Sequence, residues 1–173
     1  MKRLTILFAL SLCISYIYAE KTEDRYVVRP VQEGLLYFIE PFEVPSKDKM
    51  PAAELDITYI VSRDSFTLNM SIRLPEAIDA DSIGLGSRTD TIVRDFHTFF
   101  IDKEKNRFKH RYSCTLPYTC LHTLYQSPMP YTLTIYAGGR KLQYGYAERA
   151  WSKERSWMQQ ILLLADKNKS AVR

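Results

Sequence analysis

Two stretches of the chain alternate apolar and polar side chains with period two. Leu55, Ile57, Tyr59 and Val61 interleave with Asp56, Thr58, Ile60 and Ser62. Phe66, Leu68, Met70, Ile72 and Leu74 interleave with Thr67, Asn69, Ser71 and Arg73. Successive strand side chains point to opposite faces, so each stretch predicts a strand with one buried face. A turn at Arg63-Asp64 sets Val61 opposite Phe66, Tyr59 opposite Leu68, Ile57 opposite Met70 and Leu55 opposite Ile72, apolar against apolar throughout. A second hairpin turns on Gly138-Gly139, which can take the positive φ angles of a two-residue turn. It sets Ile135 opposite Leu142, Leu133 opposite Tyr144 and Tyr131 opposite Tyr146, leaving Thr132, Thr134, Lys141 and Gln143 on a wet face.

The remaining pattern adds shorter strands and one helix. Leu35 to Ile39, bounded by Gly34 and Pro41, reads as a buried strand, and Pro41, Pro45 and Pro51 mark the loop after it. Ile92-Val93 and Phe96 to Ile101 predict one or two strands. Asp102 to Asn106 form a polar turn, Arg107 to Cys114 return as a strand, and 118–125 form another. From about 148 to 165 the spacing turns helical. Trp151, Met158, Ile161, Leu162 and Ala165 share one side, and Trp157 and Leu164 widen it. Glu148 and Glu154 come early and Lys167 and Lys169 late, which suits the helix dipole. Residues 20–33 are charged and read as an irregular N-terminal arm. At least seven mainly antiparallel strands with one terminal helix predict a single, mainly β domain over 34–169. The expected fold is an antiparallel β-sandwich, immunoglobulin-like or similar, with a C-terminal α-helix; a small β-barrel is the alternative.

The first nineteen residues stand apart. Met1-Lys2-Arg3 precede an apolar run from Leu4 to Ile17 broken only by Thr5, Ser11 and Ser15, and Ala19 offers a small residue for cleavage. That order is a secretory signal peptide, and the run is short for a membrane span. An uncleaved anchor, or a lipoprotein carried on Cys13, are the alternatives. The mature chain is therefore expected outside the cytoplasm, periplasmic or secreted, with no transmembrane segment. Two cysteines remain, Cys114 and Cys120. In an oxidising compartment they are expected to form one local disulfide, helped by a turn at Pro117.

Charge and candidate chemistry narrow the picture less than the hydrophobic pattern does. Residues 20–100 hold 15 acidic and 9 basic side chains, and residues 101–173 hold 5 and 13. Lys103, Lys105, Arg107, Lys109 and Arg111 occupy every second position. From Arg107 onward this puts cations on one strand face and Phe108, His110 and Tyr112 on the other. Such a ridge suits an anionic polymer, such as an acidic glycan; it equally suits an edge strand guarded by charge. Nucleic acid is not an expected partner of an exported chain. Tyr136, Trp151 and Trp157 are candidate stacking platforms for sugar rings, although aromatics also suit strands and cores. A metal site needs His97 across from His110 plus Asp95 or His122. A four-residue loop 102–105 gives that register and a five-residue loop denies it. Gly84-Leu85-Gly86-Ser87 lacks nucleophile-elbow spacing, and Asp79/Asp81 and Asp90/Asp95 fall in turn-rich sequence. No cofactor is implied.

Asn69-Met70-Ser71 and Asn168-Lys169-Ser170 match the N-glycosylation pattern. Asp81-Ser82-Ile83 and Asp90-Thr91-Ile92 look like the Asp-Ser/Thr-aliphatic O-glycosylation sites of Bacteroidota. In layout the whole chain resembles the small signal-bearing proteins of that group, a resemblance that brings no catalytic residue with it. In export, size, strand count and late helix it also resembles lipocalins. Gly34 is followed by Leu35-Leu36 where the lipocalin pattern has Gly-x-Trp, so that likeness is one of architecture. Three functions follow. The first is a non-enzymatic extracytoplasmic module that binds a glycan, anionic polymer or envelope protein through Lys105, Arg107, Lys109, Arg111, Tyr136 and Trp151. The others are a lipocalin-like carrier of an apolar ligand and a small hydrolase.

Overall fold

The structure, a computed structural model, describes residues 25–86, 91–93 and 95–172; the leader, Cys13 and Asp90 lie outside the described residues. Its elements run β1 (Tyr26–Val31), β2 (Gly34–Val44), β3 (Ala53–Ile60), β4 (Ser65–Leu74), β5 (Ser82–Gly86) and β6 (Thr91–Val93). They continue through β7 (His97–Glu104), β8 (Arg107–Pro117), α1 (Tyr118–Gln126), β9 (Thr132–Ala137), β10 (Arg140–Gly145) and α2 (Glu148–Val172). The strands form two antiparallel sheets, one ordered β1-β2-β3-β4-β8-β7 and the other β10-β9-β5-β6. Neither closes on itself, so the fold is a β-sandwich with a C-terminal helix and not a barrel.

Period-two alternation places the core. Ile57, Tyr59, Phe66, Leu68, Met70, Ile72 and Tyr112 of the larger sheet pack into one cluster with Ile83, Leu85, Leu133 and Ile135 of the smaller. Six strands are wider than four, and the two helices cover the inner face that the smaller sheet leaves. Tyr118 of α1 stacks on Tyr59 at 4.1 Å between ring centres, and Trp157 of α2 meets Phe42 edge-on at 6.1 Å. Trp151, Met158 and Ile161 of α2 are buried as the helical spacing predicts. A gap lined by residues including Ile57, Leu68, Leu85 and Leu124 measures about 10 Å³. Small-molecule sites measure about 300–1,000 Å³.

Register separates the two hairpins. Around Gly138 and Gly139, both at positive φ, Ile135 pairs with Leu142 and Leu133 with Tyr144, as expected. The β3–β4 hairpin pairs Tyr59 with Phe66, Ile57 with Leu68 and Leu55 with Met70, two residues away from the expected register. A shift of two keeps every side chain on its face, so alternation alone cannot choose between these pairings. The choice is made by loop contacts: Val61 N–H donates to Leu35 O of β2 at 2.9 Å, and Arg63 N–H to Ile60 O at 2.9 Å.

Three expectations are corrected. Residues 26–31, expected within an irregular arm, form edge strand β1 against β2. An edge strand with most side chains in solvent need not alternate, and β1 exposes four of its six residues. Residues 118–125, expected as a strand, lie in helix α1 (Tyr118–Gln126). Its buried residues Tyr118, Leu121, Leu124 and Tyr125 follow helical spacing, which the aromatic and β-branched composition masks. The helix also undoes the expected disulfide. Cys114 points from β8 into the core, Cys120 sits in α1, and both thiols are free. Burial pushes the Cys114 thiol up to about 11, which leaves it unreactive at neutral pH.

Candidate functional site

The solvent face of the larger sheet carries the polar half of β3, β4 and β8. Pairing across these strands lines Glu54 up with Ser71 and Arg111, and Asp56 with Asn69 and Ser113. This register turns a row of cations into a hydrogen-bonded network. Arg111 donates from Nη2 to Asp56 Oδ2 at 2.6 Å and from Nη1 to Ser71 Oγ at 2.8 Å. Asn69 Nδ2 donates to Asp56 Oδ1 at 2.7 Å, so both oxygens of this carboxylate, 2% exposed, are bonded. Arg73 donates to Glu54 at 2.7 Å and to Glu104 at 3.0 Å. Lys109 Nζ lies 3.9 Å from Glu54 Oε2.

The predicted basic ridge therefore divides. Its positions alternate as expected, with Lys109 and Arg111 outward and Phe108, His110 and Tyr112 inward. Lys109 and Arg111, however, are engaged by acids of β3. Lys103, Lys105 and Arg107, at the β7–β8 tip, have no ion-pair partner among the described residues. The turn there is Lys105-Asn106, with Lys105 at φ 54. Beside it lies an open depression of about 560 Å³, lined by Arg73, Glu104, Lys105, Asn106 and Arg107. Further along β7, Phe99 (56% exposed) and Phe100 face solvent where a bulge interrupts pairing with β8.

The aromatic candidates do not join this face. Trp151 is 1% exposed, packed among Tyr125, Tyr131 and Tyr146, so it is core and not a platform. Tyr136 is half-buried between Ser82 and Lys141 on the smaller sheet, the opposite side of the sandwich from the β8 face. Phe99 and Phe100, which sequence reasoning counted only as strand residues, are exposed rings on β7, the strand that leads into the tip.

The histidines are dispersed. The two-residue turn and the bulge set His97 opposite Ser113 and His110 opposite Ile101, so neither expected register holds. His110 is fully buried, its ring bonded to Glu76 O through Nε2 and to the Tyr112 hydroxyl through Nδ1. Burial lowers its pKa, against the raising effects of the Glu76 carbonyl and Asp79. His122 lies in α1, 3.3 Å from Asp166 of α2. Among the described residues no grouping of three or more His, Cys, Asp or Glu is placed to hold a metal. Both sequon asparagines are engaged, Asn69 with Asp56 and Asn168 with the Tyr37 hydroxyl. Ser82 opens β5 and does not sit in a turn.

Asp56, Asn69, Ser71, Glu54 and Glu104 are the face residues that sequence reasoning missed. The place of Asp56, Asn69 and Ser71 on a wet face was legible from alternation, whereas Glu54 precedes the alternating stretch and Glu104 reads as part of the polar turn 102–106. The meeting of Asp56 and Ser71 with Arg111 was not legible, because β8 joins the sheet beside β4 only through a connection more than thirty residues long, whereas Glu54 and Arg73 meet within the β3–β4 hairpin.

Fold and face together define an antiparallel β-sandwich whose larger sheet presents a mixed-charge surface ending in a cationic tip. No protein-family model, curated protein or solved structure matches the chain. Among the described residues no helix is long and apolar enough to cross a membrane.

Proposed function

We propose that this chain is a non-enzymatic, extracytoplasmic binding module that takes an acidic glycan or a similar anionic polymer at the β7–β8 tip. The observation that carries the reading is the split of the basic ridge. Lys109 and Arg111 are occupied by carboxylates, whereas Lys105 and Arg107, beside an open depression, have no ion-pair partner among the described residues. Unpaired cations at the rim of a concavity attract an anion without first breaking an internal ion pair. The exposed ring of Phe99, further along β7 from the tip, adds an apolar surface against which a sugar ring of an extended polymer can lie. The leader sequence supports delivery to the compartment where such polymers are met.

Titration with polygalacturonate, and with dextran as a neutral control, tests this by calorimetry. Binding of the acidic polymer that weakens with salt and disappears in Lys105→Glu/Arg107→Glu is the expected result. Equal binding of dextran, undiminished binding by the double variant, or no binding at all overturns the reading.

A further inference from the structure

The described residues contain two buried carboxylates, Asp56 and Glu154. They are treated very differently. Asp56 has both oxygens bonded at 2.6–2.7 Å. Glu154, 8% exposed on the inward side of α2, accepts one long hydrogen bond, at Oε2 from Arg25 Nη1 at 3.5 Å; it also lies near the Tyr146 hydroxyl, which donates instead to Glu43 O at 2.8 Å, and its Oε1 has no hydrogen-bond partner among the described residues. The other arginine–carboxylate pairs are closer, at 2.6–3.0 Å for their shortest contacts. Two of those, Arg63–Glu33 and Arg140–Glu76, involve carboxylates that are about half exposed and have less need of a partner. The loosest pair thus serves one of the most buried charges.

The same arginine makes a second contact of a different kind. Its guanidinium carbon lies 4.0 Å from the centre of the Trp157 ring, one helical turn along α2 from Glu154. A flat aromatic face beside a carboxylate is the arrangement that recognises a planar cation, since the face attracts the charge and the carboxylate accepts its N–H groups. The indole Nε1 of Trp157 is also buried without a partner. Arg25 reaches this place from the residue just before β1, with its side chain still 37% exposed. It fills the position without completing its hydrogen bonds.

We propose that Glu154 and Trp157 form a binding pocket for a guanidinium group, which Arg25 of the same chain occupies in the resting protein and which an external guanidinium ligand takes when Arg25 is withdrawn. An external ligand is not tied to β1, so it can approach Glu154 with both N–H groups of its fork and satisfy Oε1 as well.

Arginine amide is the probe, and the indole N–H resonance of Trp157, assigned with Trp157→Phe, is the readout. In Arg25→Ala, arginine amide is expected to shift this resonance saturably and to raise the Tm. Lysine amide, which lacks the planar fork, should bind at least about tenfold more weakly, as should arginine amide to Arg25→Ala/Glu154→Gln. Arg25→Gln, which keeps part of the stem over the ring, is the second background should the alanine variant not fold. Absence of a saturable shift, or an equal shift with Glu154→Gln present, overturns the proposal. Failure of both Arg25 variants to fold also overturns it, because Arg25 is then a strut and not a replaceable occupant.

Discussion

The two faces of β8 are built from neighbouring residues and obey different physics. Inward, His110, Tyr112, Cys114 and Leu116 are buried, with Phe108 half-buried above them. Outward, Arg107, Lys109, Arg111, Ser113 and Thr115 meet water or the polar side chains of β4 and β3. The inner face is held by removal of apolar area from water, which needs only the right volume in the right place. The outer face is held by directed hydrogen bonds, which need particular partners at particular distances. One strand thus shows why a buried surface tolerates change of identity better than loss of volume, and a paired polar surface the reverse.

The largest effect is expected inside. Tyr112→Ala empties a fully buried site against Phe96 and His110, and should cost about 3–5 kcal/mol of unfolding free energy in urea titrations. On the outer face the corresponding test is Asp56→Ala. It strips Arg111 and Asn69 of their acceptor and is expected to cost about 2–4 kcal/mol, because half-removing a buried pair leaves polar groups unsatisfied. A loss under about 1 kcal/mol there would show the outer network to be ornament, and the contrast between faces would fail.

A smaller effect comes from acid, again on the inner face. The unfolded His110 protonates near 6.5, while burial holds the folded ring below that value. The unfolded chain therefore binds more protons in this range, so the His110 contribution is intact above pH 6.5 and declines as pH falls through it. Urea midpoints measured from pH 8 to pH 5 should decline less in His110→Phe than in the natural chain. Smallest of all is Lys109→Ala, whose 3.9 Å contact with Glu54 lies at the surface and should be worth less than about 1 kcal/mol. A cost equal to that of Asp56→Ala would mean that the cations of β8 act as one cooperative unit.

The free tip and the buried pocket differ in how they could be found. Lys105 and Arg107 were visible in the chain as cations beside a polar turn, and only their freedom from partners was not. Arg25 and Trp157 are separated by 132 positions, and no local pattern connects them. Trp151 misled for a related reason. Its helical spacing marked it as one of a buried side, and only the aromatic cluster of Tyr125, Tyr131 and Tyr146 decides against a platform.

Local order was written in the chain: which residues of β3, β4, β8, β9 and β10 look inward, where the Gly138-Gly139 hairpin turns, and where α2 begins. These follow from backbone geometry, because periods of two and 3.6 are properties of a single segment. Tertiary structure alone decided the β3–β4 register, the helical state of 118–126, the free thiols of Cys114 and Cys120, and the partners of Arg111 and Arg25. Each of these is a choice between locally equivalent states, and the energy that separates them comes from segments distant in the chain that only the completed fold brings into contact.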